Sequence, residues 1–360
     1  MMSEWKEYKF GDGAEFLNGR AYKAAEFKEQ GTPIVRIQNL TGKGSTVYSD
    51  LTLPENKYIE EDDLIYAWSA TFGPYIWKGP RSIYHYHIWK IQCNERLLDK
   101  YFFYYHLLNV SDRLKDSGNG TLFVHITKGL MESFEIHLPS LEEQEAITAV
   151  LSALDDKIDL LHRQNKTLES MAQALFRHWF IDNAADDWAE GRLEDLIELK
   201  YGKGLKSSLR SGDGFPVVGS SGVIDYHSEF LVEAPGIVIG RKGTLGEVIY
   251  LSENFFPIDT TYFVKSKMQS ANLYFEYFLL KSIAFQNMNT DSAVPGLNRN
   301  IALATEVVVP PQSEISRFNK VTHPLLDKIQ KNKAQIATLE KLRDTLLPKL
   351  MSGEVRVRQN

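Results

Sequence analysis

Cysteine is nearly absent: Cys93 is the only one in 360 residues. That excludes an intramolecular disulfide and suits a reducing compartment. Long apolar runs are missing too. Nothing approaches the ~18 residues of a membrane span, and the opening MMSEWKEYKF has no signal-like apolar core. The expectation is a cytoplasmic protein. Positive charge is scarce: 41 Lys and Arg against 47 Asp and Glu leave a net charge of −6. This argues against a purely electrostatic nucleic-acid binder. It leaves room for a chain that reads DNA through local loops while a partner supplies much of the positive charge.

Catalytic signatures are also lacking. No Asn-Pro-Pro-Tyr tetrapeptide of an adenine methyltransferase occurs, since Pro310-Pro311 is followed by Gln312. No glycine-rich phosphate loop ending in Gly-Lys-Ser/Thr is present. The stretch GRKGTLG (240–246) does not fit a dinucleotide fingerprint and reads as a tight turn exposing Arg241 and Lys242. His85 and His87 in YHYHIW alternate as on one strand face, but no further ligand is spaced to complete a metal site. Asp259 in FPIDTTYF lacks the downstream Glu-x-Lys of a nuclease. No catalytic or metal-binding residue is assigned, and no cofactor is assigned to this chain.

What the sequence does contain is a repetition. LDDKI at 154–158 returns as LLDKI at 325–329, 171 positions later. At that offset residues 139–179 lie over 310–350 without a gap, with 12 identities in 41 positions. Fainter matches lie upstream: FLNGR (16–20) over LKYGK (199–203), PIV (33–35) over PVV (216–218), YFFYY (101–105) over YFEYF (274–278), and ITK (126–128) over LNR (297–299). Solenoids use more and shorter repeats, so this is a duplication. The expected domains are 1–140, a helix at 141–183, a second domain at 184–311, and a distal helix with tail at 312–360.

The segments after each domain step by four and three. Ile147, Leu151, Leu154, Ile158, Leu161, Asn165, Leu168, Ala172, Leu175 and Trp179 form a coiled-coil seam behind a capping box at Ser140-Leu141-Glu142-Glu143. The second copy places Phe318, Leu325, Ile329, Ile336, Leu339, Leu346 and Leu350 in phase, interrupted by Thr322, Asn332 and Arg343. Pro324 is expected to kink or restart this helix. The linker 183–190 is short, so the second helix must run back along the first to bury its stripe. Charge agrees: residues 141–182 carry four basic and eight acidic side chains, residues 312–360 ten and five. An axis near Arg163 sets Asn165 against Asn332, Leu161 against Ile336 and Trp179 against Phe318. A facing asparagine pair fixes register; the ordinary alternative is two solvated amides at a frayed seam. The fold class is α+β: two similar mixed α/β domains joined by two long helices in an antiparallel coiled coil, with a pseudo-twofold internal duplication. A spacer of about 40 residues spans about 60 Å, nearly two turns of duplex DNA at ~34–36 Å each.

Residues 138–180, from LPSLEEQEAITAVLSALDDKIDLLHRQNKTLESMAQALFRHWF, resemble the central helical region of type I restriction–modification specificity subunits. VPPQSEISRF with LEKLRDTLLPKLMSGEVRV resembles their distal helical region. GRLEDLIELKYGKG and SAVPGLNRNIALATEVVVPP resemble the opening and close of their target-recognition domains. The resemblance implies a non-catalytic subunit in which each domain reads half of a bipartite DNA target and the helices set the unread gap. It implies two modification subunits carrying S-adenosylmethionine and restriction subunits using ATP as partners.

DNA reading needs polar and basic side chains on loops that reach base edges, plus phosphate anchors. In the first domain the candidates are Arg20, Lys23, Arg36, Gln38, Asn39, Lys43, Ser69, Thr71 and Lys128. In the second they are Lys203, Lys206, Ser220, Ser221, Arg241, Lys242 and Arg299. Their apolar neighbours Ile34, Val35, Val217, Val218, Ile237 and Val238 read as core strands beneath the loops. The ordinary alternative for each candidate is a solvated loop residue that contacts nothing. Tyr66, Trp68, Phe72, Tyr75 and Trp77 read as core rather than base-stacking groups. Phe176, Trp179, Leu347 and Met351 are read as a docking surface for partner subunits, with packing against the nearest domain as the rival. A competing function is a protein-binding adaptor on a coiled-coil scaffold.

Overall fold

The structure, a computed structural model, describes residues 5–42, 44–69, 71–116, 126–268, 270–288 and 296–357, the side chains of 112–116 excepted. The chain forms two compact units: residues 1–158 with 337–360, and residues 159–336. Each unit therefore contains one mixed domain and a stretch of both long helices, Leu141–Arg177 and Gln312–Met351. Among the described residues no helix is long and apolar enough to cross a membrane.

In the first unit, Ala14–Asn18, Ile88–Cys93, Leu64–Ala67 and Gly73–Ile76 form an antiparallel sheet in that order. A second sheet runs Val47–Ser49, Thr32–Val35, Ser82–Tyr84, Tyr58–Ile59, with Thr32–Val35 parallel to Ser82–Tyr84. Lys6–Lys9 pairs with Glu135–Leu138 at the base. The second unit repeats this plan. Ile197–Tyr201, Thr261–Ser266, Gly236–Gly240 and Val248–Leu251 make the antiparallel sheet. Gly222–His227, Phe215–Gly219 and Phe256–Pro257 make the mixed one, and Ala189–Arg192 pairs with Glu306–Val309. Among the described residues the first unit adds the edge strand Tyr58–Ile59. The duplication thus extends through the domain interiors, where sequence matching was faint.

The strands hold because their apolar residues are covered. Ile34, Val35, Val217, Val218, Ile237 and Val238 are all buried, as are Phe102 and Phe103 on the helix Lys100–Asp116 and Phe275 and Phe278 on Tyr274–Ser282. Cys93 is half-buried against the core of the first unit, and burial pushes its thiol up to about 12. Glu276, on Tyr274–Ser282, is fully buried; its Oε1 accepts a 2.6 Å hydrogen bond from Ser266 Oγ, while Oε2 has no partner. Desolvation raises its pKa against the opposing Ser266 bond. A folded pKa above the unfolded value means stability that is complete at low pH and lost as pH rises through the folded value. Glu276→Gln is therefore expected to raise the unfolding midpoint more at pH ~8 than at pH ~5. Equal shifts at both pH values, read by calorimetry, would show that the carboxyl is not ionising at a cost.

Ser140 Oγ accepts from Glu143 N at 3.4 Å, capping the first long helix. Within each unit the two helices run in opposite senses. In the first unit Arg343 Nη1 donates to Asp155 Oδ1 at 2.8 Å, and Tyr105 Oη donates to Asp155 Oδ2 at 2.7 Å. In the second, Asn332 Nδ2 donates to Asn165 Oδ1 at 2.9 Å, and Phe318 meets the Trp179 ring at 5.9 Å. Leu161 and Ile336 are both buried. Leu151, Ile158 and Ile329 are buried as well, whereas Leu154, Leu168, Leu175, Leu325, Leu339 and Leu346 are half-buried along the stripe. Arg343, which interrupts the apolar stripe in sequence, is paired across it. Thr322 is buried and donates its hydroxyl to Phe318 O at 2.8 Å.

The second helix corrects part of the expectation for Pro324: Gln312–Met351 is one helix and does not restart there. Proline in a helix interior costs about 3 kcal/mol. Burial of Ile315, Phe318 and Leu326 in the core of the second unit holds the segment in place.

Candidate nucleic-acid interface

Loop-borne polar groups gather where the first strand of each antiparallel sheet ends. In the second unit this strand ends at Tyr201-Gly202. A Cβ on Gly202 would lie 2.1 Å from Ile258 O, so only glycine lets the chain pass there. Gly19, the matching residue of the first unit, meets His85 O in the same way at 2.3 Å.

In the second unit Ser220 and Ser221 form the two-residue turn between Phe215–Gly219 and Gly222–His227. Ser220 sits against the neighbouring glycine loop, with its Oγ 3.3 Å from where a Gly243 Cβ would lie. That loop carries Arg241 and Lys242, whose backbone N–H groups both donate to Thr260 O, at 2.9 and 3.1 Å. The Arg241 guanidinium lies 5.0 Å from the Tyr201 ring and 5.7 Å from the Tyr262 ring. The Arg299 guanidinium lies 5.3 Å from Tyr201. Arg299 opens a short helix capped by Asn298, whose side chain accepts from Asn300 N and Ile301 N. Lys203 and Lys242 are exposed close by in sequence to these groups. Lys206 is exposed ahead of a short turn at Ser207–Leu209, and among the described residues no contact ties it to the cluster.

The first unit arranges different groups on the same frame. Arg20 bridges to His85, and its guanidinium is held by Glu26 at 2.6 and 3.1 Å. Arg20 is therefore a neutralised pair rather than a free cation. Lys23 is exposed beside it. Arg36 Nη2 donates to Ser45 O at 2.8 Å and stands 6.0 Å from the Phe27 ring. Asn39 Oδ1 accepts from Arg36 N at 3.0 Å, so its carbonyl is spent on holding the loop. Gln38 is exposed. Ser69 is buried and Thr71 half-buried. Lys128 begins a short helix capped by Thr127 and pairs with Glu132 at 3.4 Å. Lys43 lies outside the described residues.

Two features were not anticipated. His85 and His87 do not share a strand face; they belong to the link between Ser82–Tyr84 and Ile88–Cys93, their rings 4.9 Å apart. Tyr86 between them is exposed, and Trp68 packs against His87 at 5.1 Å while donating to Tyr86 O at 2.9 Å. Burial lowers the His85 pKa, helped by His87 and Arg36. Among the described residues no three His, Cys, Asp or Glu side chains are placed to hold a metal ion. The second feature is Tyr201, which sequence inspection passed over although it directly precedes Gly202.

The docking residues need correction. Leu347 and Met351 are buried in the core of the first unit, and Phe176 in that of the second, because each has been consumed by its own recognition domain. Phe176 also lines an apolar cavity of about 460 Å³ with Phe180, Trp188, Phe275 and Met288. Trp179 is half-buried against Phe318 and the Arg317 guanidinium. Apolar groups that do remain exposed on the long helices include Met171, Val321 and Leu342.

Duplicated mixed domains bearing polar loops on shared helices define a class, and comparison with known proteins gives it a name. The model of the type I restriction modification DNA specificity domain matches residues 2–170 and 185–341. The chain belongs to that family. It is 29% identical to the type I restriction enzyme MjaIX specificity subunit of Methanocaldococcus jannaschii over 73% of this chain and 70% of that one. The MjaVIII specificity subunit of the same organism is 22% identical, over 99% and 94%. The crystal structure of a type I restriction–modification S subunit from M. genitalium shares the fold, with a TM-score of 0.62 at 20% identity, over 99% of this chain and 97% of that one.

Proposed function

We propose that this chain is the DNA-specificity subunit of a type I restriction–modification complex, with each unit reading one half of a bipartite duplex target. The observation that carries this reading is the duplicated loop cluster at the end of the first sheet strand, built on the same frame twice but with different side chains. Same frame and different chemistry suit two unlike half-sites. The long helices, about 55 and 60 Å at 1.5 Å per residue, serve as the ruler for the unread gap. The chain itself is non-catalytic. Methyl transfer from S-adenosylmethionine and ATP-driven cleavage belong to modification and restriction subunits docked on it, and those partners offset its net charge of −6.

The test is methylation of a random-sequence duplex library by this chain mixed with its cognate methyltransferase subunit. Methylation confined to one bipartite motif, and only in the mixture, is the expected result. Complex formation without sequence dependence would instead favour the protein-binding adaptor. Turnover by this chain alone would make it an enzyme.

A further inference from the structure

Arg241 and Arg299 come from loops 58 positions apart in sequence, yet both guanidinium groups settle within 5.3 Å of one ring, that of Tyr201. Tyr201 is half exposed, at 50%. Arg241 is also tied elsewhere: its Nη1 donates to Asp259 O at 3.2 Å, and the Tyr262 ring, 5.1 Å from that of Tyr201, lies 5.7 Å from its guanidinium. Among the described residues neither arginine makes an ion pair with a carboxylate. The contrast with Arg20, clamped by Glu26 in the first unit, is direct. Two uncompensated cations sharing one support repel each other, and an anion entering between them relieves that repulsion.

The ring favours cations through its quadrupole, at a partly exposed site where such contacts are strongest when water is displaced. Among the described residues the first unit has no ring shared by two arginines. Its equivalent residue is Asn18, which accepts a 2.7 Å hydrogen bond from Trp89 Nε1. Strand pairing fixes that equivalence: Asn18 stands opposite Trp89 as Tyr201 stands opposite Tyr262.

We infer that Tyr201 is a positioning residue that holds Arg241 and Arg299 as a paired anchor for the phosphate backbone of duplex DNA, making the second unit the stronger electrostatic grip. The inference rests on the DNA-reading function proposed above and adds which unit grips phosphate and through which side chain. It assigns Arg241 to backbone anchoring rather than to base reading.

The test uses the full chain and a mixed-sequence duplex longer than two helical turns, with affinity followed by anisotropy across a salt series. Two phosphate contacts contribute about 1.8 to the slope of log affinity against log salt. Tyr201→Ala is expected to weaken binding roughly five- to thirty-fold, the loss of two exposed cation–ring contacts, and to flatten the slope by about one to two. Tyr201→Phe should stay within about two-fold of the parent, because the ring and not the hydroxyl is the support. Adding Tyr201→Ala to a chain already carrying Arg241→Ala and Arg299→Ala should cost nothing further. Circular dichroism checks that each variant keeps its fold, as expected for an exposed ring. An unchanged slope in Tyr201→Ala, a Phe variant as weak as the Ala variant, or full additivity with the arginine changes would each overturn the role of Tyr201 alone. A loss confined to particular sequences would make this a base-reading site instead. A parent chain with no salt-dependent binding to duplex would overturn the DNA reading itself, and this inference with it.

Discussion

A chain lacking residues 156–159 and 338–341 is expected to prefer a target whose half-sites are unchanged but stand one or two base pairs closer together. Asp155 pairs with Arg343 in the first unit and Asn165 with Asn332 in the second, and the deletion removes four residues from each helix between those two pairs. It leaves both of those pairs intact. Four residues remove about 6 Å of helix, against ~3.4 Å per base pair. The spacing of the stripe is kept, because Leu161 and Arg343 move into positions three residues beyond Leu154 and Ile336. Binding to the parent target should fall by about three orders of magnitude or more, since one half-site can no longer be reached together with the other. The check is selection of bound or methylated sequences from a random library. Altered half-sites with an unchanged gap would remove the basis for calling the helices a ruler.

Phe318→Ala is expected to be the most destabilising single change in the second unit. The ring is fully buried and meets Phe180 at 5.3 Å, Phe176 at 5.8 Å, Trp179 at 5.9 Å and Phe278 at 6.1 Å. Removing a phenyl group from such a site costs about 3–5 kcal/mol, or about 10 °C in the midpoint of a unit this size. Val321→Ala, on the exposed face one turn further along the helix, should change stability by less than about 0.5 kcal/mol. Calorimetry on both variants tests the contrast. Similar midpoints would mean that the aromatic cluster closes over the gap.

The helix seam was legible in the sequence because its signals are local and repeated. A stripe with steps of three and four, copied at a fixed offset, specifies which residues face one another, and the Asn165–Asn332 contact follows from it. The strands beneath the loops were legible for the same reason: Val217-Val218 and Ile237-Val238 are short apolar runs. The reading face was legible only by residue type. Whether Arg20 is free depends on Glu26 folding back onto it. Whether Tyr201 matters depends on two arginines arriving from distant loops, and no spacing rule announces either event. The docking residues were misjudged because apolar groups beyond a two-helix seam have two possible destinations, and here the chain's own domains took Phe176, Leu347 and Met351. The helix does not restart at Pro324 because the core that covers the same turn offsets the local cost of proline.

The asparagine layer has one more consequence. Under the duplication Asn332 occupies the place of Leu161, and Ile336 that of Asn165. The amides meet each other, and Leu161 meets Ile336, only when a first copy of the repeat pairs with a second copy. A dimer of the first copy alone would set Leu161 against Asn165 twice, and a dimer of the second would set Asn332 against Ile336 twice. Each would bury an amide on an aliphatic side chain, so the seam discriminates against self-assembly of either half alone.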